Sequence, residues 1–292
     1  PGVIGLELGQ ALSRLGVRTL MFGRGGAIGP LTDPAVVESV SSAMSRELYF
    51  DPDADVTSMQ RVNDAVRIDF VGLDGRRRTE IVDYVLAATG RIPNVQGLDL
   101  ERTTLPLDAK GVPIFDPATL QIGHSHVFIA GDVNSDRPLL HEASDEGRIA
   151  GDNAGRHPHV KAGVRRSPLS IVFTDPQIAM VGQRFAELSH GRTAVGSASF
   201  EDQGRSRVML RNKGLLRVYA EKETGLFLGA EMFGPRAEHL GHLLAWAHQA
   251  GMTVDQMLGM PFYHPVVEEG LRTALRDVRN KVQEHPALAR VA

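Results

Sequence analysis

The sequence predicts an α/β domain followed by an α+β domain, and three observations carry that prediction. The chain opens on Pro1-Gly2-Val3-Ile4-Gly5, a glycine spacing that lets the backbone turn tightly into a helix, and an apolar strand at residues 18–22 follows that helix. Two more apolar runs, residues 82–88 and 126–130, end in glycine, as buried parallel strands do where they deliver a loop. Beyond residue 164 the order becomes strand, strand, helix with hairpin spacing, the arrangement of an α+β domain.

Composition agrees with a folded chain and narrows its chemistry. At 292 residues it can form two or three domains, and 42% hydrophobic residues with 31 glycines and 16 prolines describe a turn-rich globular protein. With 32 basic and 35 acidic side chains the net charge is -3, so no global field recruits nucleic acid or an anionic membrane. No apolar run reaches the roughly 18 residues of a membrane span, and no signal peptide is evident, so a cytoplasmic location is expected. Zero cysteines exclude disulfides, thiolate chemistry and zinc–thiolate sites in this chain.

Taking the elements in order, Gly2 and Gly5 supply the last two glycines of a G-x-G-x-x-G turn whose first would lie one residue before Pro1. The chain has no initiator methionine and is expected to begin part-way through a fold. In such a turn one glycine lets the backbone approach a pyrophosphate, the next allows close helix–strand packing, and the helix N-terminus offers free N–H groups. Ile4, Leu8, Leu12 and Leu15 form the expected buried stripe, and Gly16 ends the helix. The strand at 18–22 leads to Gly23-Arg24-Gly25-Gly26. No carboxylate stands there for a ribose 2′-hydroxyl, whereas Arg24 could meet a 2′-phosphate, so the chemistry leans to NADP or to weak discrimination.

Asp33-Pro34 is a cap and first-turn pair for a helix through about residue 48, and Val66 to Phe70 alternate into a hairpin turned at Asp74-Gly75. Arg76, Arg77 and Arg78 read as a solvated edge. The buried strand expected at 82–88 runs into Thr89-Gly90-Arg91, and that at 126–129 into Ala130-Gly131-Asp132, where a carboxylate suits a polyol or ribose hydroxyl. A helix at 142–154 and a linker at 157–168 precede strands at 170–173, 215–220 and 229–233 and a helix at 237–251. His239 and His242 share a helix face without a third ligand, so no metal is assigned.

Near the C-terminus, Tyr263-His264-Pro265-Val266-Val267-Glu268-Glu269 reads as a general acid/base site. Pro265 is expected to open a helix and leave His264 at its cap, facing a carboxylate that holds its tautomer. Both Glu268 and Glu269 lie within reach on spacing alone. Val267, Leu271, Ala274 and Val278 would face a core.

Together, Gly2-Val3-Ile4-Gly5-Leu6-Glu7, Ala88-Thr89-Gly90-Arg91-Ile92-Pro93-Asn94, Phe128-Ile129-Ala130-Gly131-Asp132 and His264 to Glu269 resemble, in order and spacing, the pyridine nucleotide-disulfide oxidoreductases. The likeness is nearest to the dihydrolipoamide dehydrogenase branch. It implies an α/β nucleotide-binding (Rossmann-like) domain at 1–93, a segment at 94–163 completing an FAD-binding region, and an α+β dimerisation domain at 164–292. It further implies FAD, NAD or NADP, a homodimer whose His-Glu dyad serves the partner's disulfide, and a small dithiol or disulfide substrate, a protein-bound lipoyl group among the candidates. By the same resemblance, Gly2, Gly5 and Gly90 contact the dinucleotide and Glu7 lies near nicotinamide and flavin. Asp132 binds the ribityl chain with Gly131 and His141 close by, His264 is the proton acceptor and donor, and Glu269 orients it. The N-terminal FAD domain, the cysteine pair and the first strand of the nucleotide fold are absent from this sequence, and Gly23 replaces the acid of an NAD-specific member. Two further readings stay open: an NADPH-dependent disulfide reductase of the glutathione reductase kind, and a non-catalytic dimerisation or binding module.

Overall fold

The computed structural model of the chain describes residues 1–282. They divide into two compact units, one formed by Pro1–Thr89 together with the chain from Ser167 onward, the other by Gly90–Arg166.

The first unit begins with α1 (Val3–Arg14), capped by Gly2 and ended where Gly16 takes φ 90°. Its buried face is not the predicted stripe: Ile4, Leu8, Leu12 and Leu15 are 43, 44, 38 and 81% exposed, while Leu6, Gly9 and Gln10 are buried. Gly9 lies against the Met21 methyl, which a Cβ there would displace. Gln10 is buried at no polar cost, since its amide both accepts from Asp175 N (2.8 Å) and donates to Asp175 O (3.0 Å). β1 (Leu20–Phe22) pairs in parallel with β2 (Tyr49–Asp51), joined through α2 (Pro34–Met44), whose N-cap Asp33 accepts from Ala35 N at 2.9 Å. An antiparallel sheet follows, β3 (Asp55–Val62), β4 (Ala65–Val71) and β5 (Arg77–Val82). Its turn at Asp74-Gly75 is as expected, with Gly75 at φ 74°. Arg77 and Arg78 lie on the edge strand, and Arg78 reaches Asp74 at 3.0 Å. The strand expected at 82–88 does not form beyond Val82, and Tyr84 is 91% and Leu86 57% exposed. A centrally buried strand needs flanking strands for its N–H and C=O groups, and this stretch joins neither β1 nor β2.

The second unit holds α3 (Leu140–Arg156) over a small apolar cluster of Leu120, Ile149 and Ala150. Residues 126–129 make isolated bridges rather than the expected strand: Gln121 bridges Phe128, and Ile129 N donates to Leu120 O at 3.0 Å. Positive φ at Leu120 (60°) and Gly123 (55°) bends the partner segment out of extended register.

The first unit resumes with β6 (Leu169–Val172), β7 (Gln177–Gly182), β8 (Thr193–Ser199), the short α4 (Gly204–Val208), β9 (Leu215–Glu221) and β10 (Phe227–Gly234). They make one antiparallel sheet in the order β6-β7-β10-β9-β8. α5 (Ala237–Gln249), α6 (Val254–Leu258) and α7 (Glu269–Lys281) complete it, with α7 against β8 and β9 and α5 against β7. Val267, Leu271, Ala274 and Val278 are buried in that core, as their spacing predicts. A buried polar cluster fastens this sheet to the start of α2. Glu231 of β10, 0% exposed, accepts from Thr32 N, Thr32 Oγ1, Asp33 N and Phe185 N at 2.7, 2.6, 2.8 and 2.9 Å. Asp33 in turn accepts from Arg217 Nε and Tyr219 OH, both at 3.0 Å, and burial pushes the Tyr219 hydroxyl up. Among the described residues no helix is long and apolar enough to cross a membrane.

Candidate active site

His264 and Glu269 meet, though not by the predicted route. The His264–Pro265 bond is cis and Pro265 lies in a bend; α7 begins only at Glu269, with Glu268 as its N-cap. The reason is that Val266 N–H donates to the Glu269 carboxylate (3.2 Å) instead of entering a helix, so a tight turn forms around the acid. Within that turn His264 Nδ1 stands 3.0 and 3.1 Å from the two Glu269 oxygens. A carboxylate only accepts, so Nδ1 carries the proton and Nε2 presents its lone pair outward on a side chain 81% exposed. The contact with His264 holds the Glu269 carboxyl below its ordinary value, aided by Val266 N–H. The ambiguity between the two glutamates is thereby resolved geometrically: Glu269, not Glu268, faces the ring.

At the chain start, α1 has no side-chain cap, and Leu6 N–H is the first bonded back to it, at Gly2 O (2.9 Å). The N–H groups of the first turn therefore face outward beside Gly2 and Gly5, and a Cβ on Gly5 would lie 3.5 Å from Ala88 Cβ. Glu7 accepts from Phe173 N–H at 2.8 Å through one oxygen. Arg24 is exposed in its glycine loop. Gly23 is there for steric reasons, since a Cβ would sit 2.5 Å from the Pro52 carbonyl oxygen, and Asp53 tightens the loop by accepting from Gly25 N at 2.6 Å.

In the second unit, Gly90 has φ 104° and Gly131 φ 79°, conformations open to glycine. Gly131 N–H donates to buried Glu146 at 2.7 Å, which leaves Asp132 exposed at the start of a short turn, and His141 is exposed in the first turn of α3. Glu146 also accepts from Asn134 Nδ2 (2.7 Å) and pairs with Arg165 (2.8 Å), which reaches Glu142 at 3.0 Å. Glu146 and Arg165 escaped the sequence reading because each looks like an ordinary helix-face or linker charge. Gln203 did too: its amide caps α4 and donates to Val266 O at 2.7 Å. The pair His239 and His242 faces the carboxylate and carbonyl of Glu238, and among the described residues no group of three His, Asp or Glu is placed to hold a metal.

Comparison with known proteins places these features in a family. Residues 1–147 match the model described as pyridine nucleotide-disulphide oxidoreductase, and residues 169–275 match the dimerisation domain of the same family. Dihydrolipoyl dehydrogenase of Haloferax volcanii is 30% identical over 279 residues, covering 94% of this chain and 58% of that protein. Mercuric reductase of Shigella flexneri is 27% identical over 285 residues, covering 97% of this chain and 50% of the relative. The crystal structure of LpdA from Mycobacterium tuberculosis superposes with a TM-score of 0.79 at 24% identity, over 94% of this chain and 59% of that one, a likeness of fold. The chain thus spans little more than half the length of the curated relatives it matches.

Proposed function

Because the chain belongs to the pyridine nucleotide-disulphide oxidoreductase family, we propose that it serves an FAD-dependent dithiol/disulfide oxidoreductase of the dihydrolipoyl dehydrogenase kind, working as a homodimer with NAD or NADP. The observation that carries this reading is the His264–Glu269 pair, with Nδ1 held at 3.0 Å and Nε2 free. A thiol cannot attack a disulfide until it loses its proton, and a neutral imidazole with an outward lone pair can take that proton and later return it. Glu269 holds the ring in the tautomer that does this and stabilises the imidazolium that results. Its lowered pKa keeps it ionised, and so an acceptor, throughout the working pH range.

The residues present fit part of each cofactor. The uncapped α1 N-terminus beside Gly2 and Gly5 suits a pyrophosphate. Glu7 keeps one carboxylate oxygen outside its bond to Phe173 N–H. The exposed Asp132 carboxylate after Gly131 suits polyol hydroxyls, and His141 lies one turn into the neighbouring helix. When bound, nicotinamide and flavin supply the hydride and electron transfer. The chain's own work is to hold them and to move the thiol proton.

The test is His264→Gln in the full-length protein. Dithiol-dependent turnover should fall by at least about 10²-fold, while reduction of an artificial acceptor by nicotinamide, which needs no disulfide, persists. A fall of less than about tenfold removes the acid/base role. Arg24 favours a second reading, an NADPH-dependent disulfide reductase, because its side chain is exposed next to Gly23, which stands in place of a ribose-binding acid.

A further inference from the structure

We infer that Gln203 is a positioning residue for the His264–Glu269 pair, acting through its hydrogen bond to the carbonyl of Val266, the residue whose N–H holds the acid. This inference rests on the acid/base reading of that pair and adds a residue that nothing in the motif contains.

The connection is a continuous series of hydrogen bonds. Gln203 Oε1 accepts from Ser206 N (2.6 Å) and Ser206 Oγ (2.7 Å), which locks the side chain as the cap of α4. Its Nε2 donates to Val266 O at 2.7 Å. The other peptide group of Val266, its N–H, donates to Glu269 Oε2 at 3.2 Å, and Glu269 bonds His264 Nδ1. Both polar groups of one residue between the histidine and its acid are therefore tied, one to the acid itself and one to Gln203. Packing reinforces the placement: a Cβ at Gly270 would lie 3.0 Å from the Phe200 ring and 3.6 Å from Gln203 Cγ, so the first turn of α7 sits directly on this side chain. Ser206 is fully buried, so the cap is a rigid anchor.

An exposed imidazole on a turn has little packing to orient it, and His264 is 81% exposed. Its orientation is set by the acid, and the acid is held in turn by Val266 N–H, on the residue whose carbonyl Gln203 holds. Gln203 touches neither substrate nor reacting atoms and acts only through the placement of Val266. Arg272 of α7, stacked over Phe262 at 5.9 Å, is the cation near the pair and helps hold the Glu269 carboxyl ionised.

The experiment uses the full-length protein with Gln203→Glu, Ser206→Ala and His264→Gln in parallel. Gln203→Glu keeps an acceptor for the α4 cap but places a carboxylate oxygen against Val266 O, where a donor stood. The ring-nitrogen NMR shifts of His264 should then report a mixed tautomer population, and dithiol turnover should fall by about tenfold in kcat with KM little changed. The pH profile of kcat should be displaced, with the fold retained by circular dichroism. Ser206→Ala weakens the cap without touching Val266 and should leave the His264 signals and kcat unchanged. Gln203→Glu with unaltered His264 shifts and unaltered kcat overturns the inference, as does an equal disturbance by Ser206→Ala. If His264→Gln leaves turnover intact while Gln203→Glu still shifts the tautomer, the acid/base reading fails and the positioning role stands.

Discussion

Replacing Glu231 probes how the start of α2 is fastened to the C-terminal sheet. The carboxylate is 0% exposed and receives four hydrogen bonds, two on each oxygen. In Glu231→Ala the buried Asp33 N–H loses its acceptor outright, which costs about 1–3 kcal/mol. The donors of Thr32 and Phe185 are only partly buried and recover some of their loss from water, so the total should be about 3–5 kcal/mol, in the range for breaking a buried charged cluster. Glu231→Gln conserves volume but turns one oxygen into an NH2 that must face a backbone N–H, because Thr32 N and Asp33 N bond one oxygen and Phe185 N the other. That variant should cost about 2 kcal/mol. Urea unfolding followed by circular dichroism measures both, and each kcal/mol should appear as a fall of about 2–4 °C in Tm for a unit of this size. If the isosteric Gln costs less than about 0.5 kcal/mol while Ala costs several, packing rather than acceptance of four donors holds the junction, and the hydrogen-bond argument is wrong.

Two further outcomes follow from the site. Glu269 titrates below its ordinary 4.5, so the stabilisation from His264 is fully present above that value and is lost as pH falls through the lowered midpoint; a carboxyl NMR titration with its midpoint at or above 4.5 contradicts the pair. Arg24→Ala should weaken NADPH relative to NADH by about 10- to 10²-fold, since one charge-assisted contact to a 2′-phosphate contributes about 1.5–3 kcal/mol; an enzyme that already prefers NADH strongly refutes the assignment to Arg24.

The legible parts of the sequence were those where a residue type dictates local geometry. Asp33-Pro34, Gly16 and Asp74-Gly75 did what caps and turns do, and the stripe from Val267 to Val278 faced the core because α7 has one apolar side only. α1 has apolar residues nearly all round, and its buried face includes Gly9 and the hydrogen-bonded Gln10, which hydrophobic periodicity cannot register. β3 was missed because Asp55–Val62 is mostly exposed on both faces and shows no alternation, and β7 because its central residues are buried on both. The runs at 83–88 and 126–129 read as strands, yet a strand is a property of its neighbours as well as of itself. In the site, the choice of Glu269 over Glu268 lay in the turn at Pro265, and Gln203 lay some sixty positions away from the residue it holds.

The interrupted course of the first unit imposes an order on its synthesis. Thr32 meets its acceptor on Glu231 across 199 positions of chain. At about 5–20 residues per second, a ribosome needs roughly 10–40 s to deliver that acceptor after Thr32 has been made. For that interval the early segment holds Leu6, Val36 and Val40 without the Val172, Ile178 and Phe233 that later share their core, so the nascent chain, more than the finished protein, is the species that chaperones must shelter.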